Sequence, residues 1–138
     1  MALHVNFTTP TFLFQTYPKD WIDLYSQRGY LMADPTVHWA FSNTGRIRWS
    51  ALVDTDPSGV LAESAAHGMR HGFTLATDRG GSQSLGSFTR GDRDFTDAEI
   101  DAIEVIFLAM HGFTVDLRTL EPETHAALKR MSVTYTHP

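Results

Sequence analysis

Between Tyr17 and Pro35 the chain reads YPKDWIDLYSQRGYLMADP, which gathers the rings of Tyr17, Trp21, Tyr25 and Tyr30 and ends on an Asp34-Pro35 pair; Trp39 and Trp49 follow. Phe would fill core space without a polar atom, whereas each buried Tyr or Trp needs a partner for its O–H or N–H. Two readings are open. The rings are core packing at helical spacing, or they converge as an apolar cavity with a few directed donors, the way small-molecule sites are built. Asp34 is equally double. Before Pro35 it is a helix N-cap, stabilising the first-turn amides by about 1 kcal/mol. Facing a cavity, it is a carboxylate that accepts a hydrogen bond from a ligand N–H. One carboxylate oxygen can serve each role.

Other chemistries find less support. Glu63, His67 and His71 are spaced four apart, as zinc ligands on a helix are. However, there is no HExxH motif, and Gly68 and Gly72 mark a helix ending there, so these read as solvated residues. The remaining histidines (His4, His38, His111, His125, His137) are scattered and point to no site. Ser50, Ser84 and Ser87 lack a G-x-S-x-G nucleophile elbow, and Gly80-Gly81 reads as a tight turn with no phosphate-binding pattern. With no cysteine, thiolate metal sites and cysteine nucleophiles are excluded. The expectation is a binding protein without a cofactor or metal, not an enzyme.

The elements that must hold these residues follow from turn and period signals. ALHVNFTT and TFLFQT read as two strands separated by Pro10. Pro18 and Gly29 bracket a helix that puts Trp21, Leu24, Tyr25 and Arg28 on one face. Asp34-Pro35 opens a second helix that runs to Gly45. RIRWSAL reads as extended to near Asp54, and Asp56-Pro57 opens a third helix closed by Gly68 or Gly72. FTLATD and QSLGSFTR are strands around a loop at Asp78–Gly81. Thr96-Asp97-Ala98-Glu99 is a capping box for the longest helix, lined by Ile100, Ile103, Phe107 and Met110, and a short helix is expected over Glu121–Met131. Hairpin-joined strands flanked by helices make an α+β fold, a sandwich around an antiparallel sheet.

The 138 residues form one domain, large enough to bury about 70% of the unfolded surface. A net charge of -5 argues against direct nucleic-acid binding. No apolar run approaches the roughly 20 residues of a membrane span, and MALHVNF is no signal peptide, so a cytoplasmic protein with no membrane partner is expected.

In order, Tyr17-Pro18, Trp21, Tyr25, Arg28-Gly29-Tyr30, Asp34-Pro35-Thr36-Val37, Trp49, Gly68 and Gly72 resemble the autoinducer-binding domain of LuxR-type quorum-sensing regulators, over about Thr11 to Phe113. The resemblance implies an α/β/α sandwich and an internal site for an N-acyl homoserine lactone. It implies that Trp21 donates to the lactone carbonyl, Asp34 accepts from the amide N–H and Tyr17 donates to the amide carbonyl. Ser87 would add a polar contact to the acyl carbonyls, and Tyr25 and Trp49 would pack on ring and chain. The chain departs from the pattern in three ways. It reaches Pro138 without a helix-turn-helix, only sixteen residues precede Tyr17, and Ala76 stands where the family usually has Pro. A second reading is a stand-alone domain that pairs with a full-length regulator, as homodimer or heterodimer, or a domain that senses a different small molecule.

Overall fold

A computed structural model describes residues 1–132. Five strands form one antiparallel sheet in the order β2-β1-β5-β4-β3: β1 Ala2–Asn6, β2 Thr9–Leu13, β3 Gly45–Arg48, β4 His71–Thr77 and β5 Gln83–Arg90. Helices α1 Lys19–Gln27, α2 Pro35–Ser42 and α3 Val60–Ala66 belong to one face. Helices α4 Asp97–Phe113 and α5 Pro122–Met131 cover the other. This is the expected α+β sandwich, and the element order agrees with that read from the sequence.

Strand parity divides the molecule. On β4, Phe73 and Leu75 point to α4 and join Leu3, Phe12, Ile100 and Phe107 in a buried core. The alternate residues Gly72 and Thr74 meet Trp49 on the α1–α3 side. Local chemistry sets the ends of the helices. Gly29, left-handed at φ 63°, follows α1, and the Thr96–Glu99 capping box starts α4 with both reciprocal bonds made.

Three boundaries differ from the expectation, and at a fourth the structure selects Gly68 of the two expected helix stops. Pro10 lies within β2 and does not divide the two strands; β2 is a sheet edge, where a missing N–H breaks no ladder. α2 stops at Ser42, and Gly45 (φ 99°) instead begins β3. RIRWSAL is extended only to Arg48, where Trp49–Ala51 turns into a 3-10 helix that drops the indole onto β4. Gly68 (φ 86°) follows α3, whereas Gly72 lies inside β4 because a Cβ there would meet the Trp49 ring at 2.5 Å. Asp56 caps α3 through its carboxylate, with bonds of 2.9 and 2.8 Å from the amides of Val60 and Leu61.

Candidate functional site

The α1–α3 layer does not close on the sheet. It leaves a partly open cavity of about 300 Å³, lined by all six residues singled out above: Tyr17, Trp21, Tyr25, Asp34, Trp49 and Ser87. The opening segment therefore contributes both core and pocket wall. Trp21 and Tyr30 are buried together with Val60 and Met69, and Tyr17 and Tyr25 pack against them. Trp21 meets Tyr25 edge-on at 5.8 Å, and Tyr25 meets Tyr30 the same way at 6.0 Å. Arg28 fixes the rear of this cluster, donating to the Tyr30 hydroxyl and to Glu63, each at 2.9 Å.

Asp34 takes both roles read from its sequence context. Its Oδ1 accepts from the Thr36 amide (2.8 Å) and the Thr36 hydroxyl (2.7 Å), which caps α2. Its Oδ2 accepts from the Tyr25 hydroxyl at 2.8 Å. A carboxylate oxygen has two lone-pair sites, so Oδ2 retains capacity for one donor from the cavity. The Tyr25 bond and the cap hold that oxygen in place before any ligand arrives.

Tyr17 donates to the backbone carbonyl of Ser87 at 3.1 Å. Burial, and then the negative charge of Asp34, push its phenol well above the ordinary tyrosine value, so it is a neutral donor at any physiological pH. Trp49 donates its indole N–H to Thr74 Oγ1 at 3.1 Å, and Thr74 and Ser87 share a 2.7 Å hydroxyl pair. When Thr74 is the donor in that pair, the Ser87 proton is left for a cavity group. The Trp21 indole N–H has no hydrogen-bond partner among the described residues, although the residue is only 5% exposed. The cavity thus offers the Tyr17, Trp21 and Ser87 donors and a single carboxylate, Asp34. Ala2, Val5, Leu13, Val37, Phe41 and Leu85 add apolar lining, and Thr8, Gln15, Ser26 and Ser64 also line the cavity.

Sequence reasoning passed over Thr36 and Thr74. Their signals are small: a Thr two places after a capping Asp, and the lone hydroxyl in the otherwise apolar FTLA run of β4. Reading the histidines as scattered needs correction for one pair. His4 and His111 stack at 4.6 Å on the α4 face of the sheet. His111 Nδ1 lies 2.6 Å from Ser84 Oγ and its Nε2 lies 2.8 Å from the Arg79 carbonyl. His4 reaches Ser82 Oγ (2.7 Å) and Thr114 Oγ1 (2.8 Å). Burial, and then the proximity of His111, pull the His4 pKa below its ordinary value. The partners are far apart in sequence, so no spacing rule finds them. His137 lies outside the described residues. Glu63, His67 and His71 gather no metal site: Glu63 pairs with Arg28, and no group of three His, Asp or Glu among the described residues could hold an ion.

The family profile described as "Autoinducer binding domain" matches residues 3–115. The chain belongs to the autoinducer-binding domain family of LuxR-type regulators. VanR, a transcriptional activator of Vibrio anguillarum, is 29% identical over 70 residues, covering 49% of this chain and 29% of VanR. YukR, a transcriptional activator of Yersinia ruckeri, is 31% identical over 68 residues, covering 46% of this chain and 30% of YukR. The chain thus spans about three-tenths of the length of these curated relatives.

Solved structures share the fold. Escherichia coli SdiA superposes with a TM-score of 0.60 at 22% identity, covering 94% of this chain and 51% of SdiA. CepR2 of Burkholderia cenocepacia, an N-acylhomoserine lactone dependent LuxR family transcription factor, gives 0.53 at 23% identity, covering 65% of this chain and 55% of CepR2. SdiA in complex with octanoyl-rac-glycerol gives 0.58 at 21% identity, covering 88% of this chain and 53% of that one. No helix among the described residues is long and apolar enough to cross a membrane.

Proposed function

We propose that this autoinducer-binding domain senses an N-acyl homoserine lactone inside its cavity and, in the cytoplasm, passes occupancy to transcription through stability and pairing. The observation that carries the reading is Asp34 Oδ2, fixed by Tyr25 in a cavity that is also lined by apolar side chains such as Val5, Leu13, Val37 and Leu85. An acyl lactone is a compact set of carbonyl acceptors with one N–H donor on a hydrocarbon tail. Trp21 would give its free N–H to the lactone carbonyl, Tyr17 would exchange the Ser87 carbonyl for the ligand's amide carbonyl, and Asp34 would take the amide N–H. Ser87 would reach the acyl carbonyls, and Tyr25 and Trp49 would pack on ring and tail. Each buried polar group left without a partner costs about 1–3 kcal/mol, which is why the head must sit beside these groups.

Ligand that binds only the folded state stabilises it by about 2.7 kcal/mol at a hundredfold excess over Kd. Thermal melting against lactones of graded acyl length tests this, with methyl esters of the same acids as controls. Some lactones should raise Tm by several degrees and the methyl esters should not. Asp34→Asn keeps an N-cap acceptor and should preserve the unliganded melt while abolishing the shift; Trp21→Phe should weaken binding up to about tenfold, the worth of one hydrogen bond. An unchanged response in both variants overturns the site assignment.

A second ligand class belongs in the same panel. Asp34 accepts from O–H as readily as from N–H, and SdiA, which shares the fold, takes octanoyl-rac-glycerol. A shift with 1-octanoylglycerol and none with lactones would move the ligand class and leave the role of Asp34 intact. Pairing, with a second copy or a full-length regulator, is expected through α4, where Val105 and Ile106 are 69% and 61% exposed. Sedimentation of Ile106→Glu, monomeric where the parent is dimeric, checks it.

A further inference from the structure

His4 is a non-glycine residue with left-handed backbone (φ 54°) inside β1. For an L-residue that is not glycine this conformation is strained, so something must hold it. The pairing of β1 with β5 shifts by one residue there, from Ala2↔Leu85 to Val5↔Gln83, which makes His4 the extra residue of a β-bulge. The consequence crosses the sheet. Residues three apart in a regular strand point to opposite faces. Here Ala2 and Val5 both line the cavity, while Leu3 and His4 both point to the α4 side.

The clamp on the bulge is made entirely away from the cavity. The His4 amide donates to Ser84 Oγ at 3.0 Å, and the ring bridges Ser82, Thr114 and the His111 carbonyl, the last at 3.0 Å. Ser84 in turn meets His111. We propose that His4 is a positioning residue for ligand selectivity: by holding β1 in a bulge from the far side of the sheet, it turns Val5 into the cavity and sets the wall that meets the acyl tail. For its ligand this rests on the acyl-ligand reading above; the placement of Val5 does not.

Two variants separate backbone handedness from general damage. His4→Ala and His4→Gly lose the same imidazole clamp, but only glycine accepts the left-handed backbone without strain. Methyl NMR on the ligand-free protein reads NOEs from Val5 to cavity-lining side chains, and melting reads the ranking of a graded acyl-length panel. His4→Ala should lose the Val5 NOEs and reorder the panel, with roughly fourfold in affinity for each methylene that gains or loses wall contact. His4→Gly should keep both nearer the parent. A folded His4→Ala protein that retains the Val5 NOEs and the parent ranking overturns the proposal. If His4→Ala does not fold, His4→Gly decides: a melt, Val5 NOEs and panel ranking all equal to the parent's would show that the imidazole clamp holds nothing, and would overturn the proposal. If no panel member shifts even the parent, the ligand reading falls, and the NOE arm still decides the role of His4.

Discussion

The two faces of one sheet are built for different ends. Toward α4, Phe73 is fully buried, stacked on Phe88 at 5.3 Å and edge-on to Phe95 at 4.8 Å, with Leu3, Leu75, Ile100 and Phe107 completing a phenylalanine-rich core. Toward α1–α3, the rings are Trp21, Tyr17, Tyr25, Tyr30 and Trp49, and a cavity stands among them. Phenylalanine faces make no polar demand, so they can close completely. Tyrosine and tryptophan must satisfy an O–H or N–H, which keeps their geometry directed and leaves donors for a guest. Alternation along β4 and β5 lets one strand serve both purposes, with Phe73 and Phe88 on one side and Thr74 and Ser87 on the other.

The largest effect is expected on the closed face. Phe73→Ala should cost about 3–5 kcal/mol in urea unfolding and leave little folded protein to bind anything. A loss below 1 kcal/mol would mean that this core is not what holds the sheet. Next comes the cavity face. In Gly72→Ala the new methyl meets the six-membered ring of Trp49 at 2.5–2.7 Å, so the ring must move. Overpacking of this kind costs about 1–3 kcal/mol. Unlike Phe73→Ala, this variant should fold, with altered Trp49 fluorescence and a lost or re-ranked ligand response.

How much of this contrast is legible in the sequence follows from the range of each interaction. Capping at Asp34 and Thr96, the 3.6-residue period of α1 and the exit at Gly29 are local, and each agrees with the structure. The ordered aromatic and Asp-Pro positions carried the family and the wall of the cavity. What the sequence hides is long-range or depends on backbone handedness. Trp49 against Gly72 makes an apparent helix stop into a close approach, and a strand edge makes Pro10 harmless. His4 meets His111 across the whole fold, from a bulge that no alternation pattern announces.

A smaller perturbation sharpens the comparison from the α4 side. Thr96→Ala removes the hydroxyl that accepts from the Glu99 amide and should cost about 1 kcal/mol. Because α4 packs on the closed face, the melt should drop while the ranking of ligands stays as in the parent. A re-ranked panel would show that the cavity feels the start of α4.

The smallest expected effect is one of pH, and it concerns the polar cluster around His4 on the closed face. His4 has its pKa lowered by burial and by the neighbouring His111, the ring stacked on it; Ser82, Ser84 and Thr114 supply the other side-chain contacts, and no carboxylate among the described residues bonds to it. The unfolded chain therefore binds the proton more readily than the native state does. Stability then rises with pH between the lowered native value and the unfolded value near about 6.5, and is lost as pH falls through that window. His4→Asn removes the titration while keeping a residue type that tolerates left-handed backbone. The Tm difference between parent and His4→Asn should shrink from pH 7.5 to 5.5. A difference that is constant or grows on acidification would mean that the fold does not disfavour the His4 cation.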